Sequence, residues 1–174
     1  MLSTKIFFVV LFSLLCLGYT HDNISLAQAA EVEMQQRQAE IAQHQEQSLQ
    51  QELTCLARNI YFESASEPYR GKVAVAQVTV NRMHSGNYPS TICGVVHQKT
   101  HTQSGTICQF SWVCVNTSIR APALYAESRR VARQVLIEGI RLPELKNAMF
   151  FHADYIDPKW KKKPKARIGR HIFY

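Results

Sequence analysis

The sequence predicts an α+β fold, a mainly helical domain closed by a small antiparallel β-sheet. Three observations carry that prediction. Apolar residues recur at helical spacing in several segments between Leu53 and Gly139. Two short aromatic-rich segments, "AMFFHADY" (Ala148 to Tyr155) and "RHIFY" (Arg170 to Tyr174), sit between turn formers and read as strands. No internal repeat or glycine-rich phosphate loop is visible.

The 174 residues suffice for one domain plus appendages. Lys5 precedes the apolar run "IFFVVLFSLLCLG", Ile6 to Gly18, which has the length of a secretory h-region and falls short of the roughly 20 residues of a membrane span. Residues 1–20 therefore read as an export signal, cleaved somewhere between residues 18 and 30, with a retained anchor as the alternative. Cys16 follows Leu15, where a lipoprotein signal wants a small residue, so lipidation is not expected. Residues 25–52 are rich in Gln, Glu and Ala, a helical composition. Val32, Met34, Ile41, Leu49 and Leu53 are too sparse for a sustained heptad, so this reads as a solvated helical linker or a weak coiled coil, either a plain spacer or a docking site for a partner protein.

The globular part is expected over residues 53–174, roughly 120 residues and enough for one core. Leu53, Leu56, Ala57 and Ile60 predict a helix running to the neighbourhood of Glu63, with Thr54 as a cap, and Pro68 ends or redirects it. After Gly71, Val73, Ala76, Gln77, Val80 and Met83 predict a second helix, with a strand as the alternative because so many residues there are β-branched. "HSGNYP" breaks it. "STICGVV" predicts a short capped helix, and "APALYAESRRVARQVLIEG" a long one opened by Pro122 and stopped by Gly139. The two terminal aromatic segments are expected to pair across the basic "KWKKKPKARIG" loop.

Without Cys16, four cysteines remain, Cys55, Cys93, Cys108 and Cys114, and in an oxidising compartment they predict two disulfides. Three connectivities are open, although Cys108 and Cys114 are near enough in sequence to close a small loop. No CxxC occurs and the spacings match no common zinc module, so no metal and no cofactor is expected. The formal charge of +7 is concentrated: residues 159–170 hold Lys159, Lys161, Lys162, Lys163, Lys165, Arg167 and Arg170 without one acid. Such a segment attracts polyanions. For an exported protein an anionic envelope polymer is the expected partner and nucleic acid is not, with a merely solvated loop as the alternative.

A carboxylic acid donates a proton near neutral pH only if its surroundings raise its pKa, usually by apolar burial. Glu63, after Ile60, Tyr61 and Phe62, has such a setting; Glu67, beside Pro68, is expected to be exposed or hydrogen-bonded. A continued helix would put both on one face. Residue chemistry alone favours a structural helix-end carboxylate for Glu63.

The motifs change that balance. "LARNIYFESASEPYRGKVAVAQVTVNR", then "YPSTICGVVHQ", "CQFSWVC", "FHADYIDPKW" and "IGRHIFY", closely resemble the SleB-like cell wall hydrolase family, in the family's order and over about Leu53 to Tyr174. The resemblance implies a lysozyme-like domain acting on the glycan strands of peptidoglycan between N-acetylmuramic acid and N-acetylglucosamine. It carries the catalytic glutamate onto Glu63 and a supporting acid onto Glu67, with "SAS" standing where the family often has small-Arg-Gly. It implies lytic transglycosylase chemistry for the spore-type members, with hydrolysis using Glu67 as the second carboxylate left open. Asn81, Gln109, Ser111, His152 and His171 occupy motif positions and are candidate substrate contacts, with a helix-end cap as the stronger reading for Asn81 and a hydrogen-bonded structural role as the alternative for His171. Tyr61, Phe110, Trp112 and Tyr155 are candidate sugar-stacking rings, each with core packing as the stronger reading. The expected location is the periplasm or cell envelope. The rival readings are a non-catalytic wall-binding or scaffold protein, and a metal-dependent amidase or peptidase using His97, His101 and His152.

Overall fold

The computed structural model describes the backbone of residues 3–115 and 117–174, and side chains from residue 28 onward with the exception of residue 116. The expected export segment, residues 1–20, lies outside the fully described residues. Among the described residues no helix is long and apolar enough to cross a membrane. The chain divides into two compact units, Met1–Gln47 and Ser48–Tyr174.

The first helix, α1, is Ser3–Ser64. In the first unit its described side chains are exposed, Val32, Met34 and Ile41 included, and an Arg37–Glu33 pair bridges one turn. Such exposed pairs add only a few tenths of a kcal/mol. The sparse apolar positions read from the sequence thus bury nothing within this unit.

The second unit has one core. The last turns of α1 contribute Leu56, Ala57 and Ile60, all fully buried. Thr54 does not cap a new helix: its hydroxyl donates to the Gln50 carbonyl within α1 at 2.7 Å. α2, Tyr69–His84, is buried on every side from Gly71 to Val80. A helix enclosed on all sides needs no polar face, which is why helix prevails over strand despite Val73, Val75, Val78 and Val80. α3, Ile92–Val96, is capped by Thr91, whose hydroxyl accepts the Gly94 N–H at 3.0 Å. The Glu52 carboxylate of α1 accepts the Ile92 N–H at the same end. Cys55 and Cys93 join α1 to α3 by a disulfide.

α4, Pro122–Leu136, starts at its proline and packs Val131, Ala132 and Val135 into the core. Gly139, at φ +72°, turns the chain so that the Ile140 N–H returns to Gln134 O at 3.0 Å. A hairpin, β1 (Lys99–Thr102) with β2 (Gly105–Cys108), was not expected from the sequence. A second sheet holds β3 (Phe151–Ala153), β4 (Ala166–Ile168) and β5 (His171–Phe173) in the antiparallel order β3-β5-β4. The two aromatic segments pair as expected, Phe151 facing Phe173. The end of the basic stretch is not loop, because Ala166–Ile168 forms the third strand.

Candidate active site

Glu63 occupies the last turn of α1, half-buried, where the helix ends at Ser64. It lines a cleft of about 270 Å³. Arg82 from the end of α2 lines the same cleft, as do Gln109, Phe110 and Ser111 ahead of and within the short 3-10 turn Ser111–Cys114. Phe150, Phe151 and Trp160 complete the wall. Apolar burial pushes the Glu63 carboxyl up from 4.5 to about 7, with the Arg82 charge pulling the other way. Burial is the larger effect, so the acid holds its proton to near neutrality.

Arg82 is only 5 % exposed. Its Nε donates to the Met149 carbonyl at 2.8 Å, and its guanidinium lies 5.4 Å from the Tyr88 ring centre and 5.3 Å from that of Phe110. Its Nη1 finds no hydrogen-bond partner among the described residues. Guanidinium is not deprotonated in proteins, so the cleft contains a fixed cation beside a titrating acid.

The wall carrying Gln109, Phe110 and Ser111 is anchored from beneath. Trp112 Nε1 donates to Asn59 Oδ1 at 3.1 Å, Asn59 Nδ2 donates to Thr79 Oγ1 at 3.1 Å, and Thr79 donates to Val75 O. Trp112 also stacks on Phe62, with centroids 4.6 Å apart. The Cys108–Cys114 disulfide closes the turn. Trp112 is therefore core, as the packing reading had it.

Of the residues singled out in the sequence, Glu63, Gln109, Phe110 and Ser111 meet in the cleft; the others stand elsewhere. Glu67 is past the end of α1, so the two carboxylates do not share a helical face. It is buried, and its Oε2 accepts the Arg170 N–H at 3.0 Å. Tyr61 gives its hydroxyl to the start of α4, accepting from the Arg120 and Ala121 N–H groups at 3.1 and 3.0 Å. Asn81 donates both amide hydrogens to main chain, at Leu145 O and Ala148 O, each 2.9 Å away. Tyr155 is exposed beneath the Arg170 guanidinium.

His152 and His171 project from opposite faces of the β3–β5 ladder, and neither lines the cleft. His152 Nδ1 sits 2.8 Å from Ala153 O, which only accepts, so Nδ1 carries hydrogen and Nε2 meets the Tyr174 hydroxyl at 2.9 Å. Its ring touches Trp160 edge-on. His171 meets Phe151 edge-on at 5.3 Å, and burial holds its pKa below the ordinary value, with Glu67 and Asp154 opposing. His97, His101 and His152 do not converge: among the described residues no group of three His, Cys, Asp or Glu side chains has metal-site geometry. Sequence reasoning missed Arg82, Phe150, Phe151 and Trp160. The one visible signal was Trp160, an isolated ring inside a lysine run.

A model of the cell wall hydrolase family matches residues 66–174. The chain belongs to the cell wall hydrolase family. The match begins just after Glu63, so the standing of that acid rests on its geometry. Spore cortex-lytic enzymes are similar to this chain: that of Bacillus cereus is 28 % identical over 128 residues, covering 71 % of this chain and 44 % of the relative. That of Bacillus subtilis is 26 % identical over 126 residues, covering 70 % and 37 %. The chain thus spans less than half the length of these curated relatives. Among solved structures, the catalytic domain of the Bacillus cereus SleB protein superposes with a TM-score of 0.52 at 27 % identity, covering 71 % of this chain and 89 % of that one. The catalytic domain of the germination-specific lytic transglycosylase SleB from Bacillus anthracis gives 0.51 at 29 % identity, covering 70 % and 92 %. The fold of the chain is accordingly the lysozyme-like α+β fold that the resemblance of its motifs implied.

Proposed function

We propose that the protein is an exported peptidoglycan hydrolase that cleaves glycan strands between N-acetylmuramic acid and N-acetylglucosamine as a lytic transglycosylase, with Glu63 as general acid and base. One observation carries the reading: Glu63 has its pKa raised to about 7 in an aromatic-walled cleft, and it is the one carboxylate among the described lining residues. A glycosidase that activates water or forms a glycosyl-enzyme needs two carboxylates flanking the bond. With Glu67 engaged by Arg170, the substrate's own 6-hydroxyl is the better nucleophile.

The chemistry follows from the two protonation states of one group. Protonated Glu63 gives its hydrogen to the glycosidic oxygen as the C1–O bond of the muramyl residue breaks. The resulting carboxylate, its charge eased by Arg82, then takes the hydrogen of the muramyl 6-hydroxyl as that oxygen bonds to C1. Glu63 ends protonated again and the product carries a 1,6-anhydro ring. Trp160, exposed on the cleft wall, offers its ring to sugar C–H surfaces, while Phe110 is buried beneath the Arg82 guanidinium. Export is supported by the apolar run Ile6 to Gly18 and by the two disulfides.

The test is release of soluble muropeptides from purified peptidoglycan, with Glu63→Gln alongside. Loss of a general acid lowers the rate by about 10²- to 10⁴-fold. Equal release by the variant overturns the assignment of Glu63. Mass spectrometry of the products decides the reaction, because an anhydro end is one water lighter than a reducing end. Reducing ends alone refute the transglycosylase and leave hydrolysis.

A further inference from the structure

Next to the cleft lies a second hollow of about 290 Å³, lined by Lys162, Lys163, Lys165, Met149, Phe150 and Tyr174 among others, with no acidic side chain in its wall. Phe150 belongs to both hollows. Trp160, on the cleft side, touches Phe150 and Tyr174 with centroids 5.8 and 5.4 Å away, so these rings form the partition. The Lys162 ammonium stands 4.5 Å from the Phe150 ring centre, at that partition. The nearby acids are engaged: Asp154 pairs with Arg167 and Arg170, and Asp157 with Lys159.

A neutral sugar ring gives the three lysines that line this hollow nothing to neutralise. A glycan strand seated against Trp160 does carry anions beside its rings, however, because the muramyl 3-O-lactyl group bears a peptide whose side chains and end present carboxylates. We propose that the hollow lined by Lys162, Lys163 and Lys165 is a subsite for a carboxylate on the muramyl 3-O-substituent, so that the protein selects stem-bearing over neutralised strands. The proposal rests on the peptidoglycan reading above. It explains why the basic run lies against the cleft wall, and it turns a non-specific polyanion attraction into selection within the substrate itself.

The test uses full-length Glu63→Gln protein, which holds the substrate uncleaved, and measures binding by calorimetry in low salt. The ligands are a disaccharide-peptide with free carboxylates, the same compound with its carboxylates amidated, and the peptide-free disaccharide that keeps its lactyl carboxylate. Two or three exposed charge pairs, each contributing modestly, predict about tenfold weaker binding of the amidated compound. That ratio falls towards one when Lys162, Lys163 and Lys165 are changed together to Gln, returns when they are changed to Arg, and shrinks with added salt. In the disaccharide-peptide the lactyl carboxyl is an amide, so the amidation effect reports the peptide carboxylates; weaker binding of the peptide-free compound is expected, and equal or tighter binding by it overturns the selection of stem-bearing strands. Equal binding of free and amidated compounds by the parent protein overturns the proposal. Failure of the catalytic reading registers separately, as wild-type protein that releases no muropeptides.

Discussion

The Glu67 carboxylate accepts the Arg170 N–H at 3.0 Å and fixes the β4–β5 turn to the segment after α1, across 103 residues of chain. The turn is built around that contact. Gly169 has φ +58°, and a Cβ there would lie 1.8 Å from the same Glu67 oxygen.

Changing Glu67 to Ala takes the acceptor from a part-buried N–H, which costs about 1 kcal/mol. Glu67→Gln keeps an acceptor and costs less. Gly169→Ala adds about 1–2 kcal/mol of left-handed backbone strain and also displaces Glu67. Denaturant melts of the three variants check the order, and muropeptide release checks the role. A hundredfold loss of kcat in Glu67→Gln at unchanged stability would instead make Glu67 a catalytic group.

The pH profile of kcat/KM should have a single limb. A group that must first be protonated, and holds its proton to about pH 7, gives full activity below that pH and a tenfold fall per pH unit above it. A pair of carboxylates with opposed roles gives a bell with an additional acid limb.

Stability should follow the same group. The folded pKa of Glu63 lies above its ordinary 4.5, so its contribution is fully present below about 4.5 and is lost as pH rises through about 7. The loss is roughly 3 kcal/mol. Glu63→Gln cannot ionise and should therefore unfold at higher denaturant than wild type at pH 8, with little difference at pH 4.

Arg82 lowers the Glu63 pKa against the pull of burial. Removing its charge in Arg82→Gln should move the alkaline limb of activity to higher pH, while Arg82→Lys should leave it nearer the wild-type position. Both variants lose the Nε bond to Met149 O, so both should melt earlier. An unmoved limb in Arg82→Gln would refute the electrostatic coupling.

The disulfides should differ in weight. Cys55–Cys93 closes a separation of 38 residues and Cys108–Cys114 one of 6. Chain entropy assigns about 4 kcal/mol to the first and about 2 to the second. Paired serine variants, melted separately, test the order.

What the sequence conveyed follows from where its apolar residues lie. α2, α3 and α4 were legible because burial imposes a helical pattern or leaves caps and breakers: Pro122 and Gly139 sit where they were expected to act, and the cap expected in "STICGVV" is Thr91. The β1–β2 hairpin was not legible, since "KTHT" and "GTIC" are exposed nearly throughout and carry no alternation. β4 was hidden because Ala166 and Ile168 close a run of lysines whose charge dominates any local reading. Arg82 was missed for a related reason. A cation in the last turn of a helix looks like a solvated end, and only the tertiary enclosure by Tyr88, Phe110 and the Met149 carbonyl makes it part of the site. Tyr61 and Asn81 show the converse: polar groups at motif positions that bind main chain rather than line the cleft.

The two tryptophans give the molecule separate optical reporters. Trp112, 7 % exposed and bonded to Asn59, should emit at short wavelength and shift to the red only when the core opens. Trp160, 40 % exposed on the cleft wall, should respond when a sugar covers it. Fluorescence of the unlabelled protein can thus separate occupancy from unfolding, with Trp160→Phe leaving the folding signal alone.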